Sequence, residues 1–122
     1  MLKAVALLTR NADFSREDFI DHYERVHAPL ILRSFPQIRA YRRNFVELSD
    51  VLKAPGVALP SFDVITEMWF DGRAGYEEML AAHADPLIGG PVATDAALFL
   101  DMSKTIQFVV DVRESGDRSQ LG

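Results

Sequence analysis

A chain of 122 residues is the size of one domain, and its 13 basic and 18 acidic side chains leave a net charge of -5. That balance argues against a nucleic-acid footprint, which needs a basic stripe. The lack of cysteine excludes disulfides, thiolate nucleophiles and cysteine metal sites. The opening Met1-Leu2-Lys3-Ala4-Val5-Ala6-Leu7-Leu8 is too short for a secretory leader, and no apolar run reaches membrane-spanning length. No membrane contact is expected, and the cytoplasm is the expected compartment.

Residues 2–9 are β-compatible. Ser15-Arg16-Glu17-Asp18 has the form of a capping box, with Asp18 in place of the usual Glu or Gln. Apolar residues at 19, 20, 23, 26, 30 and 31 follow with helical spacing. His27 falls inside that apolar arc, between Tyr23 and Ile31, and His22 on its flank. Pro29 disfavours helix at Ala28 and removes a donor, so an end or a kink is expected there.

Residues 37–47 are expected as a strand and residues 48–61, with two prolines and a glycine, as a long loop. Residues 62–70 alternate: Phe62, Val64, Thr66, Met68 and Phe70 on one side, Asp63, Ile65, Glu67 and Trp69 on the other. Helical spacing returns at Tyr76, Met79, Leu80 and His83, and Asp85-Pro86 is expected to stop it. Gly89-Gly90-Pro91 is expected as a second loop, residues 94–100 as a short helix, and residues 104–113 as the last strand. Residues 1–113 then form a single domain, and residues 114–122 a polar tail that frays.

The order β-α-β-β-α-β is the ferredoxin-like split βαβ pattern: an α+β fold with an antiparallel sheet and its helices on one face. The bare face would carry Ile65 and Trp69, or else Phe62, Val64 and Phe70. Either set is too apolar for water, and a second copy packed sheet to sheet is the simplest cover.

These segments resemble the EthD family of the dimeric α/β-barrel superfamily. The resemblance is carried by Leu7-Leu8-Thr9-Arg10, Phe14 to Phe19, Tyr23 with His27-Ala28-Pro29-Leu30, Ile38-Arg39-Ala40-Tyr41 with Asn44, Asp63 to Phe70, and Asp95 with Phe99-Leu100-Asp101. It spans roughly residues 2–112. It implies a homodimer forming a dimeric α/β barrel, with no fixed cofactor. It also implies chemistry of ether breakdown, or of decarboxylation or cyclisation of aromatic polyketide-type compounds. The wider superfamily includes cofactor-free monooxygenases and haem-binding branches. Fold carries over between such relatives more readily than reaction.

His27 is the residue best suited to chemistry, because a neutral imidazole in a cavity can take and return a proton near neutral pH. Its plainer role is a structural histidine bonded near a helix end. Tyr41 could assist by orienting or protonating an oxygen, or serve as a core tyrosine with its hydroxyl at the rim. A pocket of Tyr23, Asn44, Asp63, Glu67, Trp69 and His83 is expected around them. Arg39 and Arg43 are the natural partners of Asp63 and Glu67, and the plainer and favoured role of His83 is a helix-terminal histidine stabilised by the macrodipole. At five residues apart, His22 and His27 diverge by about 140° on an α-helix and cannot clasp one metal as an i, i+4 pair would. The expected activity is a cofactor-free lyase, cyclase or decarboxylase acting on a small hydrophobic or aromatic compound. Three alternatives stand beside it: a cofactor-independent monooxygenase, a non-enzymatic carrier of a hydrophobic ligand, and a haem protein.

Overall fold

The computed structural model describes residues 1–116, so most of the expected tail, residues 117–122, lies outside the described residues. Four strands form one antiparallel sheet: β1 (Leu2–Leu8), β2 (Ala40–Phe45), β3 (Val64–Phe70) and β4 (Ile106–Val110), in the order β2-β3-β1-β4. The helices α1 (Arg16–His22), α2 (Ala28–Ser34), α3 (Arg73–Ala84) and α4 (Pro86–Phe99) cover one face, as the ferredoxin-like pattern requires. None of the described helices is long and apolar enough to cross a membrane.

Alternation decides which face is covered. Ala4, Ala6 and Leu8 of β1 and Val64, Thr66, Met68 and Phe70 of β3 are buried beneath the helices. The opposite face carries Val5, Leu7, Ile65 and Trp69, so the first of the two expected sets is the bare one. On β4 the pairing of Val5 with Phe108 and of Leu7 with Ile106 adds two more apolar side chains to it. Ile106 is 54% exposed and Phe108 39%.

The first helical region starts as expected. The Ser15 Oγ accepts the Asp18 N–H at 3.1 Å, which is one half of a capping box. Pro29 does not end the helix, which runs on to Ser34. The disturbance lies just upstream, where Tyr23–His27 form one π-helical turn and the Ala28 N–H reaches back to the Tyr23 carbonyl, five residues away. Pro29 then falls in the first turn of α2, where its missing N–H costs little.

A second expectation fails at Gly89-Gly90-Pro91. These residues are not a loop but lie inside α4, which starts directly at Pro86. Asp85 caps it by accepting the Leu87 N–H at 2.9 Å, and a proline at the first helical position suits that start. Gly89 is required because a Cβ there would stand 1.7 Å from the His83 carbonyl oxygen. With no side chain at 89, α4 turns tightly against the end of α3 and lies back over the sheet. Val92 and Phe99 of α4 are buried, at 2% and 0% exposure.

Candidate active site

The π turn and α4 meet at one carboxylate. Val92, Asp95, Ala96 and Phe99 recur at helical spacing along the inner stripe of α4, so Asp95 sits among apolar neighbours. Its Oδ2 accepts the Nδ1–H of His27 at 2.8 Å, and its Oδ1 accepts the Nε2–H of His22 at 2.8 Å. An ionised carboxylate can only accept, which fixes the protonated nitrogen of each ring. His27 is therefore the Nδ1–H tautomer when neutral, and its Nε2 lone pair has no protein partner among the described residues. Burial pushes the His27 imidazole below its ordinary value of 6.5, and the Asp95 hydrogen bond opposes that only in part.

Three hydroxyls stand beside this ring. The Tyr23 hydroxyl lies 2.6 Å from the Thr66 Oγ1 and 2.9 Å from the Tyr41 hydroxyl. Three O–H protons serve two contacts, so one proton is left for an outside acceptor. Burial raises the Tyr23 phenol, and it raises Tyr41 well above the usual tyrosine value, with the neighbouring Tyr23 adding to the effect. Both phenols therefore stay protonated at neutral pH and can donate. Arg43 stacks over the Tyr41 ring at 5.0 Å and pairs with Glu24 of the π turn at 2.6 Å, which ties edge strand β2 to the helix above it.

His27, Tyr23, Tyr41 and Thr66 open onto a cavity of about 340 Å³ between the helices and the sheet. The rest of its wall is largely apolar, with Ile31, Phe35, Met68, Met79 and Val92 among it. This combination, a mostly carbon cavity with a few convergent polar groups, is typical of small-molecule sites. His83 also lines the cavity, its ring stacked on Phe35 at 5.9 Å. Among the described residues no group of three His, Cys, Asp or Glu side chains is arranged to hold a metal ion.

The four remaining expected pocket residues do not line it. Asn44, Glu67 and Trp69 project from the bare face of the sheet, because strand alternation puts them opposite Tyr41, Thr66 and Met68. There Glu67 pairs with Lys3 at 2.5 Å and accepts the Asn44 amide at 3.2 Å, while Trp69 lies between Lys3 and Arg42. Asp63 accepts the Arg10 backbone N–H at 2.7 Å. The expected partners differ as well: Arg43 bonds Glu24, and Arg39 pairs with Asp71 at 3.5 Å. Missing from the expected site are Thr66 and Asp95. Thr66 was legible as a polar residue in the buried row of β3. Asp95 was legible as a carboxylate between Val92 and Phe99 at helical spacing.

Comparison with solved structures bears on the same fold. An ethyl tert-butyl ether D (EthD) family protein of Bacillus halodurans is 20% identical, with a TM-score of 0.64 over 93% of this chain and 99% of that one. A dimeric ferredoxin-like protein of unknown function from Thermobifida fusca is 15% identical, with a TM-score of 0.58 over 91% of this chain and 90% of its own. SnoaB, a cofactor-independent oxygenase from Streptomyces nogalater, is 13% identical, with a TM-score of 0.56 over 93% of this chain and 94% of its own. At such identities the likeness establishes the fold. No curated protein matches the sequence. The family model of the EthD domain matches residues 11–103, three quarters of the chain, and on that match the chain belongs to the EthD family.

Proposed function

We propose that this protein is a cofactor-free small-molecule enzyme of lyase, cyclase or decarboxylase type, working by acid/base chemistry at His27 on an aromatic, polyketide-like or ether-derived compound. The observation that carries this is the orientation of one ring. The Nδ1–H of His27 is spent on Asp95, and the Nε2 lone pair is left to a largely apolar cavity. A base oriented by a carboxylate is the arrangement that proton abstraction needs.

Tyr23, Tyr41 and Thr66 supply the complementary half. When Nε2 takes a proton from a carbon next to a carbonyl, negative charge moves to the carbonyl oxygen. The spare O–H of the hydroxyl group of three can meet it. The enolate then attacks a second carbonyl in a cyclisation, or it is reprotonated by the same imidazole. In a decarboxylation, Nε2 first takes the proton of the substrate's carboxyl group, loss of carbon dioxide from the carboxylate generates the carbanion, and the imidazolium so formed returns the proton to it. Neither route calls for a metal or an organic cofactor. The cavity's volume lies at the low end of ligand pockets, which suits a compact aromatic compound rather than a porphyrin.

The likeness to SnoaB supports a second reading, a cofactor-independent monooxygenase in which the same carbanion reacts with oxygen. Dependence of turnover on oxygen separates the two. If the cavity only carries its guest, a compound will copurify in stoichiometric amount and be released unchanged.

The bare face of the sheet is proposed to meet a second copy of the chain and close a dimeric barrel, an arrangement favoured by the apolar row of Val5, Leu7, Ile65 and Phe108. The cytoplasm is the proposed compartment, on the cysteine-free composition.

The test is exchange in heavy water under argon. Aromatic β-dicarbonyl compounds are offered to the protein, and deuterium entry next to the carbonyl is followed by proton NMR. His27→Ala should slow exchange by roughly 10² to 10⁴. Equal exchange by that variant and the wild type would remove His27 from the chemistry.

A further inference from the structure

We infer that His22, which lies outside the cavity, is a positioning residue for the reaction and acts through Asp95. This rests on the acid/base role proposed for His27. The His22 ring does not line the cavity. It packs on Phe99 with ring centroids 4.8 Å apart and meets Phe14 edge-on at 5.9 Å. Its one polar contact among the described residues is the 2.8 Å bond to Asp95, and it engages the oxygen that His27 does not use.

The terminal torsion of an aspartate is soft. A carboxylate bonded through a single oxygen can rotate about that bond and present either lone pair, or neither, to its partner. Holding the second oxygen with another ring N–H fixes the carboxylate plane. The oxygen facing His27 is then held where it accepts only the Nδ1–H, and Nε2 stays bare. His22 thus helps choose the tautomer of a ring it does not itself bond.

The π turn makes this possible. On an unbroken α-helix, residues five apart diverge by about 140°, and two rings so placed would not meet at one carboxylate. The wider turn Tyr23–His27 brings residues 22 and 27 to the same side. Packing on Phe99 and Phe14 asks only for an apolar ring at 22, so the nitrogen is what needs a reason. Glutamine can place an amide N–H near the position of a histidine Nε2–H, and phenylalanine keeps the packing without the donor.

The experiment records imidazole nitrogen shifts in ¹⁵N-labelled protein at pH 7.5, where bare and protonated ring nitrogens are well separated. In the wild type, His22 should be the Nε2–H tautomer and His27 the Nδ1–H tautomer. In His22→Phe the two His27 shifts should converge as the tautomers mix, and His22→Gln should restore the wild-type pattern. On whichever dicarbonyl compound the wild type processes, kcat should fall about tenfold to a hundredfold in His22→Phe, with KM unchanged. His27 shifts that do not change in His22→Phe would overturn the inference. So would a wild-type His22 protonated at Nδ1, and that result needs no variant to fold. His27→Ala tests the acid/base role separately. If that variant exchanges normally while the shifts converge in His22→Phe, the coupling is real and the chemistry is not.

Discussion

Asp95→Asn keeps the shape of the side chain and removes its charge. The carboxylate now accepts two N–H bonds of 2.8 Å, one from each histidine. A hydrogen bond to a charged group contributes about 1.5–3 kcal/mol and a neutral one about 0.5–1.5. Converting two of them costs about 2–3 kcal/mol in all. The new amide also points an NH₂ at one ring, which must turn a lone pair toward it by changing tautomer. Water recovers little of this, since the side chains of His27, Asp95 and His22 are only 6%, 12% and 17% exposed. In a domain of this size the loss corresponds to a fall in Tm of about 6–15 °C. Urea unfolding at pH 7.5 gives the free energy directly, provided that the m value is unchanged. If the variant falls within about 0.5 kcal/mol of the wild type, the range of an inert surface change, the two imidazoles do not depend on this charge and the reasoning fails.

Acid should destabilise the fold through His27. Its folded value lies below 6.5, so between that value and 6.5 the unfolded chain binds more protons. The contribution is complete above 6.5 and is lost as pH falls through the folded value. His27→Gln should show a smaller drop between pH 7.5 and pH 5 in urea unfolding, and an identical drop would contradict the assignment. Tyr23→Phe leaves the Thr66 hydroxyl, 2% exposed, without its 2.6 Å partner and should cost about 1–3 kcal/mol. Wild-type stability in that variant would mean that the three hydroxyls do not depend on one another. On the bare face, Phe108→Asp should convert a dimer to a monomer in sedimentation equilibrium. A monomeric wild type, or a variant that stays dimeric, would rule out that face as the contact.

Much of the fold was legible because two periods carry it. The alternation of β3 and the helical spacing around Tyr23 and Tyr76 predict the layers, and the capping signal at Ser15 predicts where the first helix starts. The site was less legible, for different reasons at different residues. Tyr41 and Asn44 are three apart on one strand and so face opposite ways, and a single pocket cannot hold both. Glu67 and Trp69 share the parity of Ile65, and the choice of bare face decided where they went. No composition marks a π turn, so the meeting of His22 and His27 at Asp95 could not be read from a spacing that an α-helix separates. Gly89-Gly90-Pro91 misled because its local preference is a turn, whereas its place in α4 is set by the close approach of Gly89 to the His83 carbonyl.

The wide turn Tyr23–His27 also gives this helix a place that tolerates the loss of one residue. Removing one residue from it would restore ordinary α-helical bonding and ease the local backbone. It would leave His22 and His27 as an i, i+4 pair about 40° apart, still on one side of the helix, with everything downstream close to its present frame. A chain shortened within this turn would thus keep both rings on the side of Asp95.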